Sequence, residues 1–220
     1  MEGNIWLGTD QGLFYLDKDE LEQENATFYQ VKVPRNDGTN YADYLLSGIN
    51  ITNISIDGGN RKWISTSSSG VFLISADNME QIQNFKEDNS FILSNNIYST
   101  AINPTNGRVY ILTNKGLCSY DSNATQASDE MTKDNVYAYP NPVTSDYTGL
   151  INIVGLSYDA DVKITTSNGV VVAEGRSNGG SFTWNGMDKN GKRVASGIYM
   201  VITATNDGKK GTVCKIAVIR

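Results

Sequence analysis

A stretch of sequence that recurs 47 positions later sets narrow limits on how this chain can fold. Leu46–Thr66 (LSGINITNISIDGGNRKWIST) returns without a gap as Leu93–Thr113 (LSNNIYSTAINPTNGRVYILT), so that Leu46 and Leu93 are 47 positions apart. A partial third copy, Gly3–Asp17, lies near the N-terminus. Recurrence at a period of about 40–50 residues is typical of repeat architectures, in which each copy forms one supersecondary unit. The sequence therefore predicts a repetitive fold over this region.

The complete copy has the pattern of four short β-strands joined by tight turns. The segment Asp57-Gly58-Gly59-Asn60 follows the first strand, and these residue types favour the positive φ angles of a hairpin turn. The strands are predicted at Ile51–Ile56, Arg61–Thr66, Gly70–Ser75 and Gln81–Lys86. Four antiparallel strands per copy are typical of a β-propeller blade.

The other two copies are incomplete in complementary ways. The first lacks the first strand and the last lacks the fourth, with strands predicted at Asn4–Gly8, Gly12–Asp17, Thr27–Val33, Tyr98–Asn103, Arg108–Thr113 and Gly116–Tyr120. A closed propeller needs at least about four blades. We therefore predict a partial β-propeller of about three blades, an incomplete ring, over residues 1–121. We expect the chain to be the end of a longer protein, which fits the lack of an export-leader pattern after Met1; an open or oligomeric arc is the alternative.

An insertion between the first and second copies carries the candidate ligand-binding residues. Pro34–Leu45 holds Tyr41 and Tyr44 beside two aspartates. Long loops on a rigid scaffold are a frequent location of binding sites, which makes these two tyrosines candidates. A plain surface loop is the alternative that we favour.

The repeat stops after residue 121, and a different all-β pattern follows. Residues 122–135 are polar and aperiodic, which predicts a linker. Strands are then predicted at Leu150–Val154, Asp161–Thr166, Val170–Glu174, Gly180–Trp184, Gly197–Ala204 and Thr212–Ile219. Several short alternating strands separated by Asn-Gly turns predict a β-sandwich over residues 136–220.

Composition excludes several classes of function. The 220 residues include no histidine, which removes histidine-based catalysis and histidine metal ligands. Residues 1–125 carry 8 Lys+Arg against 15 Asp+Glu, a balance of −7, and residues 126–220 carry 10 against 9, a balance of +1. The acidic first half argues against nucleic-acid binding. Cys118 and Cys214 lack a C-x-x-C partner and are interpreted as small buried strand residues, with a disulfide as the less favoured alternative.

Three aromatic residues occupy equivalent positions of the copies: Trp6, Trp63 and Tyr110. Their equivalence predicts packing between neighbouring copies rather than a sugar-binding platform. Asp188-Lys189-Asn190-Gly191 departs from the order of an EF-hand loop, so a turn is favoured over a calcium site. The sequence thus predicts neither a metal site nor a cofactor site.

The repeat resembles the two-component-regulator propeller repeat, whose pattern runs LSxNxVxxIxxDxxGxxWxGTxxGLxxYD. In the complete copy the matching residues are Leu46, Ser47, Ile51, Ile54, Asp57, Trp63, Thr66, Gly70 and Val71, while Ser65 departs from the pattern. In the last copy Pro104 departs from it, at an acidic position. The resemblance implies an extracytoplasmic recognition scaffold that is not an enzyme.

Residues 137–220 resemble the type A C-terminal sorting domain of type IX secretion in Bacteroidetes-like bacteria. The resemblance lies in Tyr139-Pro140-Asn141-Pro142, in Trp184–Gly191, in Gly197-Ile198-Tyr199-Met200-Val201 and in the end Lys215–Arg220. It implies that Tyr139, Pro140, Asn141, Pro142, Gly197, Tyr199, Lys215 and Arg220 form a sorting motif. The middle of this region is also similar to the immunoglobulin-like modules of flagellar hook-capping proteins, which implies an immunoglobulin-like sandwich.

Together the two parts resemble the propeller component of the type IX attachment machinery. That resemblance implies export from the periplasm to the outer-membrane surface, with type IX secretion and attachment components as partners and lipopolysaccharide or another glycan as a ligand. No apolar run reaches the roughly 20 residues of a transmembrane helix. The alternatives are the periplasmic sensing module of a hybrid two-component receptor, a glycan-binding surface protein, and a glycan-active enzyme, which would need paired carboxylates.

The basic C-terminal end suggests how a receptor would recognise the chain. Lys209, Lys210, Lys215 and Arg220 flank the last predicted strand. A strand with basic flanks can add to the sheet edge of a partner, and this is our prediction for the sorting receptor. For Lys209 and Lys210, a solvated hairpin tip is the favoured alternative.

Overall fold

The computed structural model describes residues 3–35, 37–209 and 211–220, and they form an all-β protein without an α-helix in those ranges. The chain divides into two compact units. The first unit comprises Met1–Asn103 and Arg108–Asp121, and the second comprises Pro104–Gly107 and Ser122–Arg220. No helix in the described ranges has the length and apolar character needed to cross a bilayer.

The first unit contains three antiparallel sheets that correspond to the three copies of the repeat. The first sheet has three strands, the second four and the third three, which confirms the predicted strand plan. The strands are β1 (Ile5–Thr9), β2 (Gly12–Leu16) and β3 (Tyr29–Gln30), then β6 (Ile51–Ile56), β7 (Lys62–Thr66), β8 (Val71–Ile74) and β9 (Gln81–Phe85), then β10 (Ile97–Ile102), β11 (Arg108–Thr113) and β12 (Gly116–Asp121). A 3-10 turn, Lys18–Glu20, lies between β2 and β3.

One turn recurs in each of the three sheets that correspond to the repeat copies. A threonine that ends one strand donates its hydroxyl to the carbonyl of the glycine that opens the next strand. The pairs are Thr9–Gly12 (3.0 Å), Thr66–Gly70 (2.7 Å) and Thr113–Gly116 (2.8 Å). All three glycines have positive φ, and a Cβ on Gly70 would lie 2.0 Å from the Phe85 carbonyl oxygen. The positive φ favours glycine at all three positions, and at Gly70 the close contact excludes a side chain as well.

The second sheet has apolar contacts on both of its faces. On one face, Ile64 and Ile74 pack in a core with Leu13 and Val31 of the first copy. On the other, Trp63 packs in a core with residues of the third sheet, among them Ile97, Val109 and Ile111. The middle copy therefore holds the first unit together, because alternate residues of its strands point to opposite faces.

A polar seam joins the second and third sheets along their first strands. The Asn53 Oδ1 accepts hydrogen bonds from the backbone N–H and the hydroxyl of Thr100, both at 3.0 Å. The Ser55 hydroxyl donates to the Thr100 carbonyl at 2.7 Å, and the Thr52 hydroxyl donates to the Ile97 carbonyl at 2.8 Å. Buried polar groups such as the Thr100 side chain are thereby satisfied.

The insertion predicted as a loop contains a two-stranded hairpin. β4 (Lys32–Pro34) pairs with β5 (Ala42–Tyr44) in antiparallel register. Each strand of this hairpin has only three residues, too few for a pattern to be recognised. Lys32 and Val33 were predicted as the end of the strand Thr27–Val33, whereas Ala42–Tyr44 was not predicted as a strand. Asn36, within the insertion, lies outside the described residues.

The second unit consists of two sheets that share one core. The three-stranded sheet has the order β13-β14-β17 and the four-stranded sheet has the order β16-β15-β18-β19. The strands are β13 (Tyr137–Tyr139), β14 (Ile151–Val154), β15 (Asp161–Thr166), β16 (Val171–Arg176), β17 (Ser181–Trp184), β18 (Gly197–Ala204) and β19 (Val213–Val218). Ile153 and Trp184 of one sheet and Ile164, Val201 and Ile216 of the other contribute buried side chains to this core.

The segment 122–135, which the sequence predicts as a linker, packs within the second unit. Met131 is buried in its core, and Thr125 forms a parallel bridge with Gly179. The backbone N–H of Ser128 donates to the Leu156 carbonyl at 2.8 Å. The segment is polar in composition, yet its few apolar residues face the core, so composition alone indicated a linker where the structure has a packed segment.

Candidate functional site

The motif Tyr139-Pro140-Asn141-Pro142 follows β13 directly and lies beside β19, although 74 residues separate Asn141 from Lys215. The Asn141 Nδ2 donates to the Lys215 carbonyl at 2.8 Å, and its Oδ1 accepts from the Ala217 N–H at 2.9 Å. The peptide bonds before both prolines are cis. One carboxamide thus makes the two hydrogen bonds that a neighbouring strand would make, because it carries both a donor and an acceptor.

The backbone after the motif continues this pairing toward the C-terminus. The Val143 N–H donates to the Ala217 carbonyl, and the Ile219 N–H donates to the Val143 carbonyl, both at 2.8 Å. The Arg220 N–H donates to the Ser196 hydroxyl at 2.9 Å. The outer edge of the last strand is therefore occupied from Lys215 to Ile219. The predicted addition of this strand to a partner's sheet does not fit that arrangement, because the groups it would use are already hydrogen-bonded.

Gly197 and Tyr199 lie on β18, opposite Val218 and Ile216 of β19. Tyr199 is buried, its ring centroid is 5.6 Å from that of Trp184, and its hydroxyl donates to the Ala195 carbonyl at 2.9 Å. Gly197 is exposed and its φ angle is not positive, so the backbone there does not require glycine. Tyr199 therefore supports the core, whereas the structure shows no steric reason for glycine at position 197.

The two basic residues of the predicted motif have exposed side chains at different places. Lys215 projects outward from β19 because the neighbouring Ile216 projects into the core. Arg220 follows the strand and is exposed as well. Lys209 pairs with Asp207 at 3.2 Å in the preceding hairpin, and Lys210 lies outside the described residues. Tyr199 and Lys215 thus lie on the paired strands β18 and β19, and Asn141 is hydrogen-bonded to β19. Of these three residues only Tyr199 is buried.

The candidate ligand residues Tyr41 and Tyr44 belong to the β4–β5 hairpin and are exposed, by 69% and 46%. The Arg35 guanidinium lies 5.9 Å from the Tyr41 ring centroid and pairs with Asp43 at 2.7 Å. The Lys32 ammonium lies 5.9 Å from the Tyr44 ring centroid. Each tyrosine is held against a cation of its own hairpin, and their role in binding stays a prediction.

An aromatic row near the hairpin was not predicted as a unit. Trp6, Tyr15 and Tyr29 are neighbours across β1, β2 and β3, with centroids 5.6 and 5.9 Å apart. Tyr15 and Tyr29 line a cleft of about 360 Å³ together with Lys32 and other residues. The hydrogen bond from the Tyr29 hydroxyl to Glu20 raises the pKa of that phenol. Only the strand register, which the sequence did not specify, aligns these rings.

The predicted Asp188 turn and the two cysteines have defined surroundings in the structure. The described residues contain no group of three His, Cys, Asp or Glu side chains placed to hold a metal ion. Asp188 closes its own turn by accepting from the N–H groups of Asn190 (2.9 Å) and Lys192 (3.0 Å). Cys118 and Cys214 are free thiols and half-buried rather than fully buried, and burial raises the pKa of Cys214 to about 11. A thiol with so high a pKa is a poor nucleophile.

Comparison with solved structures gives one informative similarity. The chain resembles PorZ of Porphyromonas gingivalis, described as an essential bacterial surface component of the type IX secretion system, with 32% sequence identity and a TM-score of 0.62. The match covers 99% of this chain and 29% of PorZ, so the chain spans less than a third of the length of that protein.

Two further structures match at lower similarity. One is the extracellular domain assigned to the hybrid two-component system BT3049 of B. thetaiotaomicron (14% identity, TM-score 0.40, 100% of this chain and 43% of that one). The other is dimeric latent PorU of P. gingivalis (14%, 0.30, 99% and 20%). No protein-family profile matches the chain, and no curated protein matches it. The similarity to PorZ extends over both units.

Proposed function

We propose that this chain is part of a non-enzymatic surface protein of a type IX secretion system. Its first unit contributes blades of a β-propeller that serves as a recognition scaffold. Its second unit is an immunoglobulin-like β-sandwich that directs sorting and surface attachment, with type IX secretion components as partners. The similarity to PorZ over both units supports this proposal.

The pairing of Asn141 with β19 is the observation that carries the sorting role. The resemblance to a type A sorting domain implies that two segments, Tyr139–Pro142 and Lys215–Arg220, belong to one motif. Hydrogen bonds from the Asn141 carboxamide and from Val143 join these segments. A sorting signal that spans 74 positions of sequence needs such a contact to act as a single recognition element.

The regular arrangement within the first unit supports the propeller. The middle sheet has the four antiparallel strands of a blade, and the sheets before and after it have three strands each. Apolar cores lie on both of its faces, as expected for blades that contact only their neighbours.

The sorting role is tested by the route of export. The whole chain, preceded by a cleavable Sec leader, is produced in a bacterium with an active type IX apparatus and in an isogenic strain whose apparatus is inactivated. We expect protease-accessible protein on intact cells of the first strain and periplasmic protein in the second. Equal surface exposure in both strains would contradict the proposal, and a periplasmic marker protein controls for lysis.

The ligand of the propeller is a separate proposal. Lipopolysaccharide or another glycan is the ligand that the sequence resemblance implies, and the exposed Tyr41 and Tyr44 are its candidate contacts. Isothermal titration of the purified chain with lipopolysaccharide, compared with a Tyr41→Ala/Tyr44→Ala variant, tests it. Absence of binding by the unmodified chain would exclude this ligand, and equal binding by the variant would exclude the two tyrosines.

A further inference from the structure

The outer face of the four-stranded sheet in the second unit carries a continuous apolar stripe. Ile198, Met200 and Ile202 alternate along β18 on the side opposite to the buried Tyr199, Val201 and Thr203. The stripe extends onto β19, where Val213 lies opposite Ile202. On the other side of β18, Ile202 lies beside Lys163 of β15. We call Ile198, Met200, Ile202 and Val213 the outer stripe.

The outer stripe is open to solvent. Ile198 is 47% exposed, and Ile202 and Val213 are each 43% exposed. Single exposed apolar residues are common on protein surfaces, but adjacent ones in register that are bordered by charges are typical of protein interaction sites. A shallow groove of about 300 Å³, lined by Lys163, Ile202 and neighbouring residues of β15 and β18, offers room for a partner's side chain.

Two lysines border the stripe and leave it with positive charge. Lys163 lies beside Ile202, and Lys215 lies opposite Met200. Glu174 lies opposite Lys163 in the register of β15 and β16 and attracts it electrostatically, but its ion pair is with Lys189, and Asp161 pairs with Arg176. Within the described residues, neither Lys163 nor Lys215 forms an ion pair. An approaching surface with carboxylates would therefore be attracted to both sides of the stripe, because the two lysines flank β18 on opposite sides.

The neighbouring edge is unsuited to recognition through the backbone. Asn141 and Val143 already bond to the groups of β19 between Lys215 and Ile219. The side chains that project outward from β18 and β19 are then what this part of the unit presents to a partner. These are the apolar residues of the outer stripe and Lys215.

We propose that the outer stripe, with Lys163 and Lys215, is the docking surface for the sorting receptor of the type IX apparatus, and that the receptor's contact surface is apolar at its centre and acidic on both sides of that centre. This inference rests on the proposed sorting function. It assigns recognition to a face of the folded sheet and not to strand addition at its edge.

The test uses the whole chain with its Sec leader in the strain with an active apparatus. The charge-reversed variant Lys163→Glu/Lys215→Glu is compared with Lys133→Glu/Lys192→Glu, which makes the same charge change at exposed lysines outside the stripe. We expect the first variant to lose about 10-fold in the surface-exposed fraction, and the control to equal the unmodified chain. An Ile198→Thr/Ile202→Thr variant, which keeps β-branched residues on β18, is expected to lose display as well.

Near-ultraviolet circular dichroism of the purified variants, which reports the packing of Trp184 and Tyr199, checks that they fold. If the charge-reversed chain is unfolded, Lys163→Gln/Lys215→Gln takes its place. Display of the folded stripe variants at the unmodified level, in a strain where display depends on type IX secretion, overturns the docking surface and leaves the sorting role intact. Display that is independent of type IX secretion overturns both.

Discussion

The second and third sheets of the first unit are copies of the same sequence pattern, yet they bury different residues. Trp63 of the second sheet is fully buried, whereas Tyr110, 47 positions later, is 38% exposed. Phe85 on the fourth strand stacks on Trp63 with centroids 5.5 Å apart and an interplanar angle of 14°. The third sheet has no fourth strand to cover Tyr110. Equivalence in the repeat predicted packing for all three aromatic residues, and this is wrong for Tyr110.

The turns that precede Trp63 and Tyr110 also differ in how far their charged side chains are buried. The Asp57 carboxylate is buried and accepts from the N–H groups of Gly59 (2.9 Å) and Arg61 (3.1 Å), from Arg61 Nε (2.8 Å) and from Trp63 Nε1 (3.0 Å). In the third copy Pro104 stands at the position of Asp57. Its arginine, Arg108, pairs instead with the exposed Asp121 at 2.6 Å.

The repeat specifies the course of the backbone, while the elements packed on each sheet determine which of its side chains are buried. A carboxylate inside a sheet stack is retained where every lone pair has a partner, as for Asp57. In a sheet with one face open to solvent, the position equivalent to Asp57 does not need a carboxylate with such a set of hydrogen bonds. Substitutions at equivalent positions should therefore have unequal effects.

The largest expected difference is between Trp63→Ala and Tyr110→Ala. Truncating the buried indole removes its packing against Phe85 and leaves a cavity, which should lower the free energy of unfolding by about 3–5 kcal/mol. Truncating the half-exposed Tyr110 should cost less than about 1 kcal/mol. Urea unfolding followed by far-ultraviolet circular dichroism measures both, and equal losses would show that the two sheets do not differ in burial.

A smaller effect is expected for Asp57→Ala. It leaves Arg61 and the Trp63 N–H without their acceptor in a buried site, and we expect a loss of about 3 kcal/mol in the free energy of unfolding. Asp121→Ala breaks the equivalent but exposed ion pair of the third sheet and should leave that free energy unchanged within error. If the two variants unfold at the same urea concentration, the buried network contributes nothing.

The seam between the two sheets should contribute less again. Thr100→Val keeps the side-chain volume but removes the hydroxyl that bonds to Asn53 and Ser55, each at 3.0 Å. We expect the free energy of unfolding to fall by about 1–2 kcal/mol. Ser119→Ala on the exposed side of β12 is the control. A Thr100→Val chain as stable as this control would mean that the hydrogen bonds of the seam contribute nothing to stability.

The smallest effect is a pH dependence at Lys62, whose counterpart in the third copy is the buried Val109. Burial lowers the pKa of Lys62 below its ordinary value of 10.5, although its ammonium donates to the Ala76 carbonyl at 3.0 Å and lies 4.8 Å from the Trp6 ring centroid. Between the lowered pKa and 10.5 the unfolded chain binds more protons than the folded chain. Stability should therefore rise with pH in that window.

The variant Lys62→Met lacks this titration. We expect the difference in unfolding free energy between Lys62→Met and the unmodified chain to shift in favour of the unmodified chain as the pH is raised toward 10.5. Urea unfolding at several pH values measures it. A difference that stays constant with pH would mean that Lys62 keeps its ordinary pKa in the folded protein.

Much of the strand plan could be predicted from the sequence, and the reasons are local. Ile51–Ile56, Arg108–Thr113, Asp161–Thr166 and Gly197–Ala204 were predicted with the bounds that the structure has. Strand β5 was missed because three residues are too few for a pattern, and β4 was predicted only as the end of the longer strand Thr27–Val33. The packing of residues 122–135 was missed because Met131 is one apolar residue among many polar ones.

For the candidate site, too, part could be predicted from the sequence and part could not. The sequence supplied Asn141 and Lys215 as members of a motif, but the hydrogen bond between them joins residues 74 positions apart. No local pattern carries the information that one carboxamide will close the edge of the last strand. The outer stripe also depends on the register between β15, β18 and β19, which tertiary packing sets.

Local patterns were enough to show that this protein is built of β-strands, that its first part contains copies of one pattern, two of them 47 positions apart, and that its last part is different. Turn chemistry and side-chain alternation act over a few residues, so they can be recognised without the fold. Tertiary packing was needed to establish which copy of the repeat is buried and which strand edge remains available. Burial and edge pairing depend on neighbours distant in sequence, so equivalent positions of the repeat, such as Trp63 and Tyr110, take different roles.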